Sequence, residues 1–492
     1  MKLNQLLIAT FAAAQFAVTS FAAEDTTTNS TEAAEIEALK QEVRQLDQKI
    51  ESLENRYQAE QQTAGNADKE QIQNLDQKVR ILEREGELDQ QTSSDTAKAA
   101  PRITAGVGGF GFSSADSNFV ATLHGLVQLD SRTFLADHGI NGNDGFLLRR
   151  ARPIFSGMVF HDFDFQFTPD FGGNTVQIVD AYLNYRYRPE LQLEAGKFKS
   201  PVGLEQLQSD TVTAFNERSL ATDLVPNRDL GAELHGDLFG GALSYAAGIF
   251  DGSPDFSGTT TNSDYDDNKA FAGRIFAQPW KTSGVSWLQG LGFGVGGSYE
   301  VDRAATNTVG SGLTSGYTTD GQQKFFTYSS GTFANGTHWR ISPQAYYYYG
   351  PLSLLGEYVI SDQRVIKGAA SADLQNTAWE ISAGWVLTGE AASYAGVTPK
   401  HPFDPRKGQW GAWQIVARYA DLDIDKAAFP NFASLATSAS AAHAWAAGVN
   451  WYLNKNIRVN ASFSRTQFTD GKTGIVTKQP ENALFTRLQL AF

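Results

Sequence analysis

Two hydrophobic periods divide the chain. Ile36, Leu39, Val43, Leu46, Ile50, Leu53 and Tyr57 recur every three or four residues, mainly β-branched at one seam position and leucine at the other. Ala64-Gly65-Asn66 interrupts the stripe, and Ile72, Leu75, Val79 and Leu82 resume it in a shifted register. A stripe this narrow cannot close a core alone, so residues 24–90 predict a coiled coil that pairs with copies of itself. A lone charged helix is the alternative. The polar run QTSSDTAKAA ahead of Pro101 opens a linker over 91–117.

From about residue 118 the period becomes 2 and stays there to residue 492. The last segment, LFTRLQLAF, puts Leu484, Thr486, Leu488, Leu490 and Phe492 on one face. Phe485, Arg487, Gln489 and Ala491 take the other. The same alternation runs through Phe163–Phe167, Val179–Tyr187, Trp379–Leu387 and Trp445–Trp451. A soluble sandwich also alternates. It has no need of an aromatic as the last residue, which is the pattern of the final strand of an outer-membrane barrel. The count is about sixteen strands, even as such barrels require. The predicted fold is an all-β transmembrane antiparallel barrel over 118–492, preceded by a short α-helical coiled coil.

Connection lengths give an independent check. Tight turns fall near 161–163, 187–190, 239–241, 349–351 and 453–455, each after an even-numbered strand. Long polar stretches at 199–228, 251–268, 303–335 and 423–439 follow odd-numbered ones, the asymmetry of a barrel with short periplasmic turns and long outer loops. The brief 172–174 and the long 390–409 depart from it.

The N-terminus reads as an export signal: Lys2, then an apolar core over Leu6–Val18, then Ser20-Phe21-Ala22 with small residues where a signal peptidase reads. Cleavage is expected after Ala22, so residues 1–22 form a signal peptide. No later apolar run reaches the roughly 18 residues of a membrane helix. The expected location is the outer membrane of a Gram-negative bacterium, with the coiled coil in the periplasm. A formal net charge of −14 argues against nucleic acid as a partner. With no cysteine, disulfides, thiolate metal sites and a lipidated N-terminal cysteine are excluded.

Four blocks, LLRRARPIFSGMVFHDFDFQFTPDFG (147–172), DAYLNYRY (180–187), LEAGKFKSPVGLEQL (193–207) and GVTPKHPFDPRKGQWGAWQIVARYADLDID (396–425), resemble the phosphate-selective porin O/P family. The resemblance covers roughly 118–492. It implies a sixteen-stranded trimeric barrel whose third loop folds inward, and uptake of phosphate or polyphosphate through basic residues at the constriction. That loop corresponds to residues 200–228, whose charge is mixed: Glu205, Asp210, Glu217 and Asp223 stand beside Arg218 and Arg228.

Strand parity assigns the lining. Arg150, Arg152, Arg186, Arg274, Arg340, Arg418, Arg458 and Arg487 point inward, as do Asp164, Asp180, Glu194, Glu233, Asp237, Glu300, Glu357 and Glu380. A charge on the lipid face at the midplane costs about 2–4 kcal/mol. An inward arginine either meets solute or pairs with a facing carboxylate and stiffens the wall. Lys197 and Lys199 pose a question of register: strict alternation turns them outward, toward lipopolysaccharide phosphates. One extra residue at Gly196 turns both toward the third loop. The bulge is the expectation.

Enzyme-like signals do not hold. Gly106–Gly111 matches GxGxxG but lacks a strand-then-helix frame. The seven histidines show no ligand spacing, and the acidic run Asp264-Tyr265-Asp266-Asp267 reads as a solvated loop tip. No enzyme, cofactor or metal is expected. The leading reading is a water-filled channel for passive uptake of small anionic solutes. The alternatives are a non-specific porin, or an envelope tether that contacts the cell wall through the coiled coil and uses the barrel as anchor.

Overall fold

The computed structural model describes residues 32–60, 66–135, 142–173, 175–256, 266–304, 311–473, 476–477 and 479–492. The expected signal peptide and the helix break at 64–65 lie outside them. Two compact units divide the chain at Lys98–Ala99.

The first unit is two helices, α1 (Glu32–Glu60) and α2 (Asn66–Ala99). Ile36, Leu39 and Val43 are exposed along α1 and Leu82 along α2, while Leu46, Ile50, Leu53, Leu75 and Val79 are half-buried. Helix α2 runs through the polar segment expected to be linker. Its Gln, Asp, Lys and Ala tolerate a helix, and nothing stops it until Pro101.

The rest of the expected linker is also ordered. Arg102–Gly106 and Gly109–Ser113 form a hairpin, and Phe110–Ser113 pairs with Val120–Leu123 of the first barrel strand. The glycine run is therefore its turn, with Gly109 at φ +93°.

The main sheet contains that hairpin and sixteen further strands. These are β1 (Phe119–Phe134), β2 (Gly145–Val159), β3 (Phe163–Asp170), β4 (Gln177–Arg188), β5 (Leu191–Lys199), β6 (Arg228–Leu238), β7 (Leu243–Phe250) and β8 (Ala270–Ala277). They continue as β9 (Leu291–Arg303), β10 (Phe333–Tyr349), β11 (Leu352–Lys367), β12 (Ala370–Val386), β13 (Ala412–Asp423), β14 (Ala441–Tyr452), β15 (Ile457–Thr469) and β16 (Glu481–Ala491). Each pairs antiparallel with the next, and β16 pairs with β1 from Ala483↔Phe134 to Ala491↔Leu126, which closes the barrel. Phe492 completes the seam by exchanging backbone hydrogen bonds of 2.9 and 3.0 Å with Gly125. The hairpin then takes over the same edge of β1 where the chain ends.

The wall inverts the arrangement of a soluble protein. Leu484, Leu488, Leu490, Trp379, Ile381, Trp385 and Trp445 are exposed on the outside. Gln128, Asp130, Asn450, Asn460, Arg487 and Gln489 are buried on the inside. Closure leaves none of the sixteen barrel strands as an edge strand, which a backbone in hydrocarbon requires.

The turn asymmetry holds with two further departures, the two-residue turn 368–369 between β11 and β12 and the long connection 278–290 between β8 and β9. The third loop, 200–227, does not project outward. It carries a short helix (Leu204–Leu207) and a 3-10 turn (Leu220–Leu224), most of it buried inside the barrel. Val202, Leu220, Leu224 and Val225 pack with Phe198 and Phe250. The described part of the fifth loop, 311–332, also turns inward: Thr318 donates its N–H to Asp223 of the third loop at 2.8 Å.

Candidate functional site

The third loop is tied to walls on several sides of the lumen. Gln344 of β10 donates to the Val202 carbonyl at 2.8 Å, Gln489 of β16 to Thr211 at 2.8 Å, and Asn450 of β14 to Ala214 at 3.0 Å. Arg458 of β15 donates to the Thr213 carbonyl at 2.8 Å. Arg418 of β13 pairs with Glu205 at 3.2 Å and with Asp320 of the fifth loop at 2.9 Å. Two predicted lining arginines, Arg418 and Arg458, thus act as struts for the loop.

Beside the loop lies a cavity of about 820 Å³. Arg132, Arg149, Arg150, Arg152, Lys197, Arg218 and Arg228 line it, against only two carboxylates, Asp170 and Asp210. The loop supplies Asp210 and Glu217, strands β3 and β4 supply Asp170 and Asp180, and the wall supplies most of the cations. Asp210 accepts from Arg218 at 2.6 Å and from Arg152, and forms an ion pair with Arg150 Nε at 3.4 Å that is not a hydrogen bond. Glu217 accepts from Arg149 at 2.6 and 2.9 Å and from Arg132 at 2.8 Å. Asp170 takes Arg152 Nε at 2.6 Å, and Asp180 takes Arg228 Nε at 2.8 Å. Burial works to raise Asp210, but Arg150, Arg218 and Arg152 hold its carboxyl well below the usual range. Glu217 likewise stays below its ordinary value against burial because of Arg149. Even so, Arg132 Nε and Arg150 Nε have no hydrogen-bond acceptor among the described residues. The arrangement is an electropositive pocket of a kind that suits oxyanions.

Arg132 and Arg149 were not among the residues expected at the site. Arg132 was accessible to parity, since it shares a face with the buried Gln128 and Asp130. Arg149 was not. Gln128 pairs with Arg150 and Leu129 with Leu148, so Arg149 is the inserted residue of a β-bulge, turned to the same side as Arg150 while Leu148 faces outward.

Lys197 and Lys199 point inward as expected, for a different reason. Pairing is continuous across Gly196 on both edges of β5, so no residue is inserted there. Gly196 instead sits at φ +134°, where an added Cβ would run into the Ala181 carbonyl. Beyond it Lys197 lines the cavity and Lys199 Nζ donates to the Gln208 and Leu207 carbonyls at 2.8 and 3.4 Å.

The remaining predicted arginines are elsewhere. Arg487 forms a paired contact with Asp130 at 2.6 and 2.7 Å. Arg340 meets Asp255 at 2.7 Å and Glu300 at 3.1 Å. Arg274 donates to Gln344 at 2.8 Å and lies over the Phe276 ring. Arg186 pairs with Asp164 at 2.8 Å and donates to the His161 carbonyl beside a short turn. All four face inward and none lines the cavity. Of the acidic run, Asp264 and Tyr265 lie outside the described residues, and Asp266 accepts from the Arg303 N–H at 2.6 Å.

A closed sixteen-stranded barrel, apolar outside and charged inside, with a loop folded into the lumen, defines a porin of the outer membrane of Gram-negative bacteria. Residues 122–492 match the model of the phosphate-selective porins O and P, and the chain belongs to that family. It is 25% identical to Porin O of Pseudomonas aeruginosa over 418 residues, 78% of this chain and 91% of that protein. Among solved structures it is similar to the outer membrane channel DcaP of Acinetobacter baumannii, with 12% identity, TM-score 0.48, and coverage of 78% of this chain and 99% of that one. An anion-selective porin from Comamonas acidovorans gives 13% identity, TM-score 0.46, and coverage of 76% and 100%.

Proposed function

We propose that this porin passes small anions, phosphate and related oxyanions among them, through the basic cavity beside the third loop. The observation that carries the reading is the lining itself, seven cations against two carboxylates in a chain whose net charge is −14. In a pore the charge of the lining, not of the protein, sets ion preference. Asp210 and Glu217 hold the guanidiniums in place and temper the field, so that a solute is attracted without being trapped. Arg149, Arg150, Arg152, Arg218, Arg228 and Lys197 are the anion-binding residues in this account. Lys199, Arg418 and Arg458 position the loop.

A non-specific porin needs no such concentration of charge, and a tether has no use for it. The exposed Ile36, Leu39, Val43 and Leu82 support self-association of the helices; their seam on its own favours a dimer, and contacts between barrels would set a homotrimer. The test is block of single-channel chloride current by inorganic phosphate. Wild type should show dose-dependent block, and Arg149→Ala with Arg152→Ala should relieve it. Equal block of wild type and variant, or none in either, contradicts the site.

A further inference from the structure

A second charged cluster lies on the other side of the third loop and is the inverse of the first. Glu357 of β11 and Glu380 of β12 are directly paired across the sheet. Glu205, from the loop's short helix, meets them. One carboxylate oxygen from each of the three lies within 4.8 Å of the others. All are buried, at 6% exposure for Glu205, 4% for Glu357 and 2% for Glu380.

Two of the three are spoken for. Glu357 accepts the Leu204 N–H at 2.8 Å, the Glu205 N–H at 3.1 Å and the Ser342 hydroxyl at 3.2 Å. Glu205 accepts the Ser219 N–H at 2.7 Å and Arg418 at 3.2 Å. Glu380 is different: among the described residues no N–H or hydroxyl donor reaches either of its oxygens, and the group it faces is the Glu205 carboxylate. Arg418 is the cation paired with the cluster, and Asp320 shares it. A buried carboxylate that no donor reaches, beside two further acids, calls for a positive ligand or for protons.

We infer that Glu205, Glu357 and Glu380 bind a hard divalent cation of the Ca²⁺ or Mg²⁺ class. The donor set is all oxygen, which excludes a preference for soft metals. Oxygens up to 4.8 Å apart fit opposite edges of a Ca²⁺ shell, in which each ligand stands about 2.3–2.6 Å from the ion, with water completing the coordination. The ion ties the short helix of the third loop to the β11–β12 wall. It completes on this side the fastening that Arg149 and Arg152 provide on the other. The inference does not depend on which solute the channel carries.

The test uses the full chain refolded in detergent without lipopolysaccharide, stripped with EDTA and exchanged into metal-free buffer. Calcium and magnesium are titrated in calorimetrically, and bound metal is counted after dialysis. Wild type should bind one ion per chain, and its melting temperature should rise with the ion. Glu380→Gln should bind at least tenfold more weakly and lose the ion-dependent rise. It should also melt no lower than metal-stripped wild type, since the amide relieves the surplus charge. Because the stoichiometry of wild type is itself a readout, a variant that fails to refold leaves the inference exposed. Wild type that retains neither ion, or a variant that binds as well as wild type, overturns it in favour of shared protons.

Discussion

Arg149 grips Glu217 with two parallel hydrogen bonds, Nε to Oε1 at 2.6 Å and Nη2 to Oε2 at 2.9 Å. One partner is the inserted residue of a bulge in β2 and the other sits deep in the third loop. The contact therefore couples a local irregularity of the wall to the position of the constriction. Bidentate geometry fixes orientation as well as distance.

Breaking that contact from the loop side should be costly. Glu217→Gln leaves Arg149 and Arg132 short of their shared acceptor, and loss of one partner of a buried pair destabilises by about 3–5 kcal/mol. Chemical unfolding of the purified barrel should show the loss. The same variant should favour anions more strongly than wild type in bilayer recordings, since a carboxylate beside the cavity is gone.

The dependence on pH follows from the same pair. Folded Glu217 and Asp210 both sit below their ordinary values. Their contribution is thus fully present above the unfolded value of about 4 and is lost as pH falls through the depressed folded values. The stability gap between wild type and Glu217→Gln should be constant from neutral pH down to about pH 5 and should close at still lower pH. Melting curves across that range check the sign. A gap that widens on acidification contradicts it.

Wall arginines and site arginines should separate experimentally. Arg340 is enclosed by Asp255 and Glu300 and lies outside the cavity. Arg340→Gln should lower stability and leave ion preference at the wild-type value. Arg152→Ala should shift preference toward cations. Reversal potentials and melting temperatures measured on both variants decide the matter.

Gly196→Ala probes the turn that aims the two lysines. At φ +134° a side chain is strained and meets the Ala181 carbonyl. A cost of about 1–3 kcal/mol is expected. Anion conductance should fall with it, because Lys197 and Lys199 depend on that residue for their direction. Unchanged conductance in a destabilised variant shows that the lysines are dispensable.

The barrel was legible because lipid outside and water inside impose a strict period of two, visible even in LFTRLQLAF. Parity then placed Arg487, Arg340 and Arg418 on the correct face. It failed where the backbone leaves the period. Arg149 sits on a bulge whose only trace in the sequence is three cations within four residues, Arg149, Arg150 and Arg152. The hairpin at 102–113 was hidden by its brevity and glycine content. The mixed charge of 200–228 is plain in the sequence, but its meaning depended on hydrogen-bonded wall partners from 48 to 213 residues away. Loop acids facing wall arginines cannot be read from the loop alone. The Glu205, Glu357 and Glu380 cluster was invisible for the same reason, since its members are brought together only by barrel closure and the inward loop.

The central claim, that the lining selects anions, is tested most directly by the reversal potential of wild-type channels in a planar bilayer under a potassium chloride gradient. The account predicts a potential of the sign set by chloride, reduced toward zero in Arg149→Ala/Arg152→Ala. A wild-type potential of the sign set by potassium contradicts it.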